Sequence, residues 1–520
     1  MSKEIELKFE VPARSLAKLK ESRLIGGNAG QPPQPRRLVS VYFDTDKFDL
    51  KKKGISLRVR HIGRKRVQTI KTEDGRSAGL FNRQEWEQEI KGNSPDLDAA
   101  RGTALEPLLT QKIRRALKPL FETRVQRTVV PVSAGDSRIE LVLDRGRIRA
   151  DAKSSAISEV ELELKSGDRS ALFGVVDDLT KLAPVSLAVR SKADRGYALI
   201  EGSGTQALNG TPIVLDPGIT VAEAFRLIAL SCLRHLAANE TAVCEKESEG
   251  VHQMRVGLRR LRAAMSIFSD MLRSDETERV KSELKWLAGQ LGPARDLDVF
   301  VTEGIAPLQK SRPDKRALQA LQTDLEGRRL QAFEIARQEV QSPRYRELVM
   351  MAVRWIEDGD WAKNTDELIV AMRERPADSF SREVLTRRAK KVAKKAAILK
   401  DLDPVKRHKL RIAIKKLRYT SEFFASLFSH GKAGKRAVAF QSALKNLQDC
   451  LGALNDIAVH EDMADKLIHT KPRRRAKVNR REHAFAVGVV SGRQQARAEP
   501  ILKKAIKAAA AFGDVRPFWK

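Results

Sequence analysis

Three strand-length stretches of this chain place all their charge on one face and all their apolar bulk on the other. Glu4, Glu6, Lys8 and Glu10 alternate with Ile5, Leu7, Phe9 and Val11. Glu159, Glu161, Glu163 and Lys165 alternate with Val160, Leu162 and Leu164, while Ser56, Arg58 and Arg60 alternate with Ile55, Leu57 and Val59. Successive strand side chains point to opposite faces, so each stretch reads as a strand with one charged side. A lone charged row is ordinarily a solvated edge face. Here the pattern recurs, with carboxylates and guanidiniums segregated onto different strands. That constrains the fold to a closed sheet whose charged interior binds a polyanion through a divalent metal.

The remaining elements of the first 200 residues are read from turn residues and periodicity. A helix is expected over 13–24, followed by a Gly/Pro/Gln-rich loop at 26–36. Strands are expected at Val39–Phe43, Ile55–His61, Arg66–Thr72, Arg83–Ile90 and 123–132, with a helix at 104–117. Arg138–Leu143 and Gly146–Ala150 read as a hairpin turning at Asp144-Arg145-Gly146, ahead of the acidic strand 157–165. A helix at 168–182 and a strand at Val185–Arg190 close the series. So many strands with few intervening helices predict an antiparallel sheet or barrel in an α+β domain. Asp44 and Asp46 read as turn braces, His61 as a surface residue and Trp86 as packing.

Glu4-x-Glu6-x-Lys8, Leu57-Arg58-Val59-Arg60, Lys71, Glu159-x-Glu161-x-Glu163 and Arg190-Ser191-Lys192-Ala193-Asp194-Arg195-Gly196-Tyr197 occur in this order. As an ordered set they resemble the CYTH domain, also called the triphosphate tunnel metalloenzyme family. The resemblance implies an eight-stranded antiparallel tunnel in which basic side chains grip a linear triphosphate and glutamates hold Mg2+ or Mn2+. The chemistry agrees, because Arg forks match phosphate oxygens and hard cations take carboxylate oxygen. Lys8, Arg58, Arg60, Lys71, Arg127, Lys192 and Arg195 are the expected substrate-binding residues, with Arg83 and Arg124 as further candidates. Glu159, Glu161 and Glu163 are the expected metal ligands, and Glu4 and Glu6 either complete a second metal site or orient the attacking water. Glu4, Glu6 and Lys8 form the expected catalytic set. In-line attack of water needs no His, Cys or Ser nucleophile.

Residues 202–218 are turn-rich and read as a linker, separating a first domain at 1–201 from a helical one at 219–510. The second half carries an internal repeat. His252-x-x-Arg255-x-x-x-Arg259-Arg260-Leu261-Arg262 recurs at His408-x-x-Arg411-x-x-x-Lys415-Lys416-Leu417-Arg418, 156 residues on. Leu291-Gly292-x-x-Arg295-Asp296 recurs as Leu451-Gly452-x-x-Asn455-Asp456, 160 residues on. At helical periodicity His252, Arg255, Arg259 and Arg262 share one face, as do His408, Arg411, Lys415 and Arg418. A single basic stripe is usually a solvated face. Two stripes in register, borne by duplicated helices, are expected to face one groove. The arrangement resembles the CHAD domain, which implies two duplicated antiparallel four-helix bundles, about 219–370 and 380–510, with a basic surface for polyphosphate. Asp296 and Asp456 either brace the stripes or cap helices. Further basic runs, Arg387-Arg388-x-Lys390-Lys391-x-x-Lys394-Lys395 and Lys471-x-Arg473-Arg474-Arg475, flank the second copy.

Composition narrows the partners. The formal charge of +31 and pI near 10.1 call for an anion. Both halves contribute, +12 from residues 1–200 and +19 from 201–520, so neither is merely a basic tail. Aromatics make up only 5%, which leaves few stacking platforms and makes nucleic acid the weaker fit. Cys232, Cys244 and Cys450 show no metal-type spacing, and no stretch approaches a membrane span, so a soluble cytoplasmic protein without membrane partners is expected, at polyphosphate granules if the helical half targets them. The reading is a metal-dependent triphosphatase acting on inorganic triphosphate, with a polyphosphate-binding helical half. A non-catalytic polyphosphate-binding protein is the alternative, as is a hydrolase of thiamine triphosphate, a nucleotide or an RNA 5′-end.

Overall fold

A computed structural model of the chain describes residues 3–22, 34–72, 80–203, 205–311, 316–469 and 480–520. It divides into two compact units. One comprises Met1–Leu208, Leu233–Thr241 and Pro343–Arg354; the other comprises Asn209–Cys232, Ala242–Ser342 and Trp355–Lys520.

The first unit is built on an antiparallel sheet of β1 (Lys3–Glu10), β2 (Arg36–Asp44), β3 (Ile55–Ile62), β4 (Lys65–Thr72), β5 (Leu80–Ile90), β6 (Lys118–Ala134), β7 (Ser137–Ala150), β8 (Lys153–Ser166) and β9 (Ser186–Leu187). The order β5-β4-β3-β2-β6-β7-β8-β1-β9, with β5 also paired to β1, closes eight strands into a ring. The sheet therefore has nine strands where eight were expected. The extra one is two residues long and pairs with Phe9 and Glu10, just past the stretch of β1 that β5 occupies.

The apolar faces of the ring point outward. Leu7, Phe9, Leu141, Leu143, Val160 and Leu162 are buried, and helices α1 (Ala13–Lys20) and α3 (Ser170–Leu182) pack over this side through Leu16, Leu19, Phe173, Val176 and Leu179. On the opposite side Ile55, Leu57, Val59 and Ile70 pack against Leu50, Ala100 and Leu105 and, beyond them, against Ile113 of the short α2 (Gln111–Ala116). The expected helix at 104–117 is reduced to α2 and one 3-10 turn, Glu106–Leu108. A small barrel ordinarily fills its interior with side chains, usually apolar ones. Along the cavity this ring keeps its core on the outside and its charge within; at one end Phe121, Val125, Ile148 and Ile157 turn an apolar cluster inward, against Ala193 and Tyr197 of the helix Lys192–Glu201.

β7 corrects the sequence reading. It runs unbroken from Ser137 to Ala150, paired with β6 and β8 throughout, and Asp144 lies mid-strand rather than at a hairpin turn. Gly146 explains the misleading signal. A Cβ there would stand 2.0 Å from the Arg124 carbonyl oxygen and 2.8 Å from the Val125 Cα, so the glycine permits a close backbone approach instead of a turn.

In the helical unit the two repeat motifs lie on helices Ser248–Ile267 and Pro404–Phe424. Each packs on the helix that follows it, Asp275–Val299 and Gly431–His469 respectively, and the two motif helices pack on each other. Among the described residues no helix is long and apolar enough to cross a membrane. The basic run at 471–475 and the loop residues 26–33 lie outside the described residues.

A methyl group at Gly146 must push β6 and β7 apart. Gly146→Ala should lower stability by about 2 kcal/mol, read as a shift of the urea or thermal midpoint of the sheet unit.

Candidate active site

The hollow of the ring is a polar cavity of about 650 Å³. At its wall lies a trio of buried carboxylates, Asp144, Glu159 and Glu161, whose oxygens lie within 4.8 Å of one another and of which Glu161 alone lines the cavity. The Lys192 ammonium reaches all three, at 2.8, 2.7 and 2.7 Å. Lys8 adds a contact of 2.6 Å to Glu161, and Arg127 grips Asp144 through two nitrogens, at 2.8 and 2.6 Å, while reaching Glu161 at 2.7 Å. Burial alone would raise the Glu161 carboxyl, but Lys192, Lys8 and Arg127 hold it well below the usual carboxylate range. Glu159 and Asp144 are likewise held down against the effect of burial. Burial disfavours the Lys192 ammonium, and the three carboxylates outweigh it and raise its pKa.

Local sequence explains how Lys192 arrives there. Ser191 caps helix α4 (Lys192–Glu201) in a reciprocal capping box with Asp194, which fixes Lys192 as the first helical residue. Arg195, one turn on, donates to Glu159 at 2.7 Å. At Gly196 a Cβ would meet the Phe121 ring at 2.1 Å, so the helix can press onto β6 only with glycine there. Tyr197 donates to Asp44, whose carboxylate also accepts the Thr45, Leu50 and Lys51 backbone N–H groups and so braces its turn.

Across the cavity stand Arg58, Arg60 and Lys71. Lys71 lies 2.8 Å from Glu85, and Arg58 lies 3.6 Å from Glu85 and 3.8 Å from Glu87. Arg60 differs. It donates to the Ser40 hydroxyl at 3.3 Å and has no carboxylate partner among the described residues. Burial, Arg58 and Arg127 push its guanidinium down to about 10. Tyr42, stacked on Phe121 at 4.6 Å, faces the same group; burial would raise its phenol, but Arg58, Arg60 and Lys192 pull it below its ordinary value.

Carboxylates also line the opposite wall, spaced more widely than the Asp144, Glu159 and Glu161 trio. Glu6 pairs directly across from Glu163, and Glu163 across from Glu140, so three carboxylates on adjacent strands line the cavity side by side. Like charges in facing positions repel and call for a cation between them. Lys165 meets part of that demand at the rim, 2.6 Å from Glu163 and 3.9 Å from Glu140, with its own side chain 44% exposed. Glu6, Glu161, Glu163 and Glu140 thus offer the hard oxygen donors that magnesium or manganese takes.

Of the residues expected at the site, Glu6, Lys8, Arg58, Arg60, Lys71, Arg127, Glu161, Glu163 and Lys192 line the cavity. Glu159 and Arg195 do not. They pair with each other behind the wall, where Glu159 has no exposed surface. The side chains of Glu4 and Arg83 lie outside the described residues. Arg124 points to the outer face and pairs with Glu122 at 2.7 Å. His61 lies partly exposed near the end of β3, and Trp86 packs against the core as expected. Sequence reasoning missed Tyr42, Glu85, Glu87, Glu140 and Asp144. Glu85 and Glu87 carried the same alternation as the strands that were read correctly.

The two stripes of the helical unit lie close to each other. Arg259 lies close enough to Arg411 and Lys415 to depress both, and burial with Arg411 and Arg259 brings Lys415 down to about 7. Arg255 lies 3.7 Å from Asp296 and Arg411 lies 3.9 Å from Asp456, so each aspartate braces its own stripe. His252 is half-buried beside Arg295, and His408 Nδ1 lies 2.6 Å from Asn455 Oδ1. Arg262 is exposed, whereas Arg418 is held by Glu422 at 2.7 Å and Gln448 at 2.8 Å.

Comparison with known proteins agrees with this division. Residues 2–197 match the model of the CYTH domain and residues 227–465 that of the CHAD domain. A Haemophilus influenzae protein named inorganic triphosphatase is 34% identical over 163 residues, covering 31% of this chain. The match spans 46% of that relative, about half its length. The crystal structure of the CHAD domain from the plant Ricinus communis covers 59% of this chain and 97% of its own, at 29% identity and a TM-score of 0.50.

Removing the ammonium from the carboxylate trio should be severe. Lys192→Met is expected to cost about 3–5 kcal/mol near neutral pH, because three buried carboxylates lose their shared cation. The carboxyls of the wild type are depressed in the folded state, so their contribution is present above the unfolded pKa and fades as pH falls through the folded values. The variant should behave oppositely, gaining relative stability on acidification, as thermal midpoints across pH 4 to 8 would record.

Proposed function

We propose that this chain, a CYTH domain followed by a CHAD domain, hydrolyses a triphosphate in the hollow of the sheet with Mg2+ or Mn2+, and binds polyphosphate in the groove between the paired motif helices. The observation that carries the first part is Arg60. It is a half-buried guanidinium, repelled by Arg58 and Arg127, facing a cavity and with no carboxylate in ion-pair contact among the described residues, the pull of Glu87 being outweighed. Such a cation is costly to the empty protein and is relieved by an anion of several charges.

Arg58, Arg60 and Lys71 then grip the phosphate chain from one wall, while Glu6, Glu161, Glu163 and Glu140 hold the metal at the other. When bound, the metal neutralises charge on the transferring phosphoryl group and lowers the pKa of a coordinated water. Lys8, fixed on Glu161, stands beside Glu6 and helps to keep Glu161 ionised near neutral pH, with its own pKa raised because burial is outweighed by Glu161 and other carboxylates. Tyr42 is buried and stacked, and it is the one aromatic side chain among the described residues lining the cavity. The wall therefore offers little to a nucleobase or thiazole ring, which favours inorganic triphosphate. In the helical unit, each motif helix packs on its successor and on its counterpart. We read this as two copies of one four-helix unit with the stripes facing inward for polyphosphate.

Phosphate release from tripolyphosphate in Mg2+ or Mn2+ tests the first reading. Glu161→Gln/Glu163→Gln should lose at least about 100-fold in kcat, and chelation should abolish turnover. Undiminished turnover in the double variant would sink the metal assignment. Arg60→Gln should raise KM about tenfold or more while raising the thermal midpoint of the ligand-free protein, because a guanidinium whose folded pKa is depressed opposes folding at every pH below it. For the groove, His252→Ala/Arg255→Ala/His408→Ala/Arg411→Ala should weaken polyphosphate binding about 100-fold, measured by titration calorimetry.

A further inference from the structure

The two copies of the repeat differ at one end of the groove. In the first copy the basic stripe runs on past Arg259 to Arg262, after which the same helix carries Ser266, and Ser269 follows in the turn beyond its end. With Glu278, Lys281, Ser282 and Lys285 of the next helix, these residues line a cavity of about 480 Å³. Lys281 is paired with Glu278 at 2.7 Å, but Arg262 and Lys285 have no carboxylate partner among the described residues. More positive charge converges from the second copy. Lys416 donates to the Ser266 hydroxyl at 3.3 Å and Arg388 to the Ser266 carbonyl at 3.1 Å. Burial lowers the Lys416 pKa, and Arg388, Lys391 and Arg262 lower it further, which is the signature of cations crowded without anions.

The second copy closes the equivalent place. Glu422 stands 156 residues after Ser266, so a carboxylate replaces the hydroxyl. It holds Arg418, the counterpart of Arg262, at 2.7 Å; Gln448 takes another guanidinium nitrogen at 2.8 Å, and Tyr419 lies beneath the group at 5.0 Å. One end of the duplicated surface is therefore internally neutralised and the other is left cationic, with hydroxyl donors beside it.

We propose that the cavity between helices Ser248–Ile267 and Asp275–Val299 is an anion subsite for a condensed-phosphate chain, so that a chain lying in the groove leaves it at this end and not past Arg418. The inference rests on the reading of the groove as a polyphosphate site. Hydroxyls of Ser266, Ser269 and Ser282 donate to phosphate oxygens while Arg262 and Lys285 supply charge.

The test uses the full chain with long-chain polyphosphate and chelator, so that no hydrolysis occurs. Arg262→Ser/Lys285→Ser should weaken binding about tenfold with an unchanged thermal midpoint, Arg418→Gln should change it less than about twofold, and Glu422→Gln should strengthen it. In the unmodified chain, polyphosphate should shield Lys285 from acetylation, read by mass spectrometry, and leave Lys503 on the distant helix Arg480–Gly513 reactive. If Arg262→Ser/Lys285→Ser binds like wild type while Arg255→Ser/Arg411→Ser is weakened, the subsite falls and the groove stands. Equal losses at Arg418 and at Arg262/Lys285 would overturn the asymmetry. A wild-type chain that does not bind polyphosphate overturns both readings.

Discussion

The sheet unit depends on one ammonium group. Lys192 lies within 2.8 Å of Asp144, Glu159 and Glu161, which stand on two adjacent strands, and it comes from the first residue of a helix later in the chain. Taking an ion out of water costs several kcal/mol, and three carboxylates facing one another would not remain ionised unaided. Lys192, with Lys8, Arg127 and Arg195, makes that arrangement tolerable. Helix α4 is thereby pinned to the ring at the same point where the ring's charge is densest. An apolar plug would give a more stable barrel, so the charge in the hollow has to be accounted for by what enters it.

That accounting does not balance evenly around the cavity. On the inner side every cation has carboxylates within ion-pair distance, and the carboxylates are held ionised. On β3 the balance fails at Arg60, and on β1, β8 and β7 it fails the other way in the row Glu6, Glu163 and Glu140. The first imbalance asks for an anion and the second for a cation. A metal–phosphate complex answers both at once, which neither free phosphate nor a lone metal ion does.

Much of this was legible in the alternation of side chains, because strand periodicity alone decides which residues face the hollow. Glu161, Glu163, Arg58 and Arg60 were found that way, and Glu85 and Glu87 could have been. What periodicity cannot express is distance along the barrel axis. Glu159 obeys the same alternation as Glu161 yet is sealed off, because Arg195 of α4 covers it. Asp144 was hidden for another reason. Asp-Arg-Gly is good turn chemistry, and only the pairing of β7 with β6 shows that Gly146 is there to let two backbones approach. Arg124 and Arg127 are three residues apart, an odd spacing that sends them to opposite faces, so parity would have discarded Arg124.

In the helical unit the repeat made the architecture readable, but the differences between its copies carry the specific chemistry. Arg295 pairs with Asp298 and presses on His252, whereas its counterpart Asn455 sits against His408 without adding charge. Lys415 replaces an arginine, and a lysine, unlike an arginine, can lose its proton under the pressure of Arg411 and Arg259. At about 7 its titration falls within the physiological range, so the groove's positive charge is variable on the second copy and fixed on the first. The polyanion binding proposed above favours the protonated form of Lys415, so it is expected to take up protons near neutral pH, by the linkage that ties a pKa shift to a binding free energy. Two helices that share a motif thus differ in kind of charge, the first relying on guanidiniums alone and the second mixing guanidiniums with a lysine whose proton its neighbours help to displace.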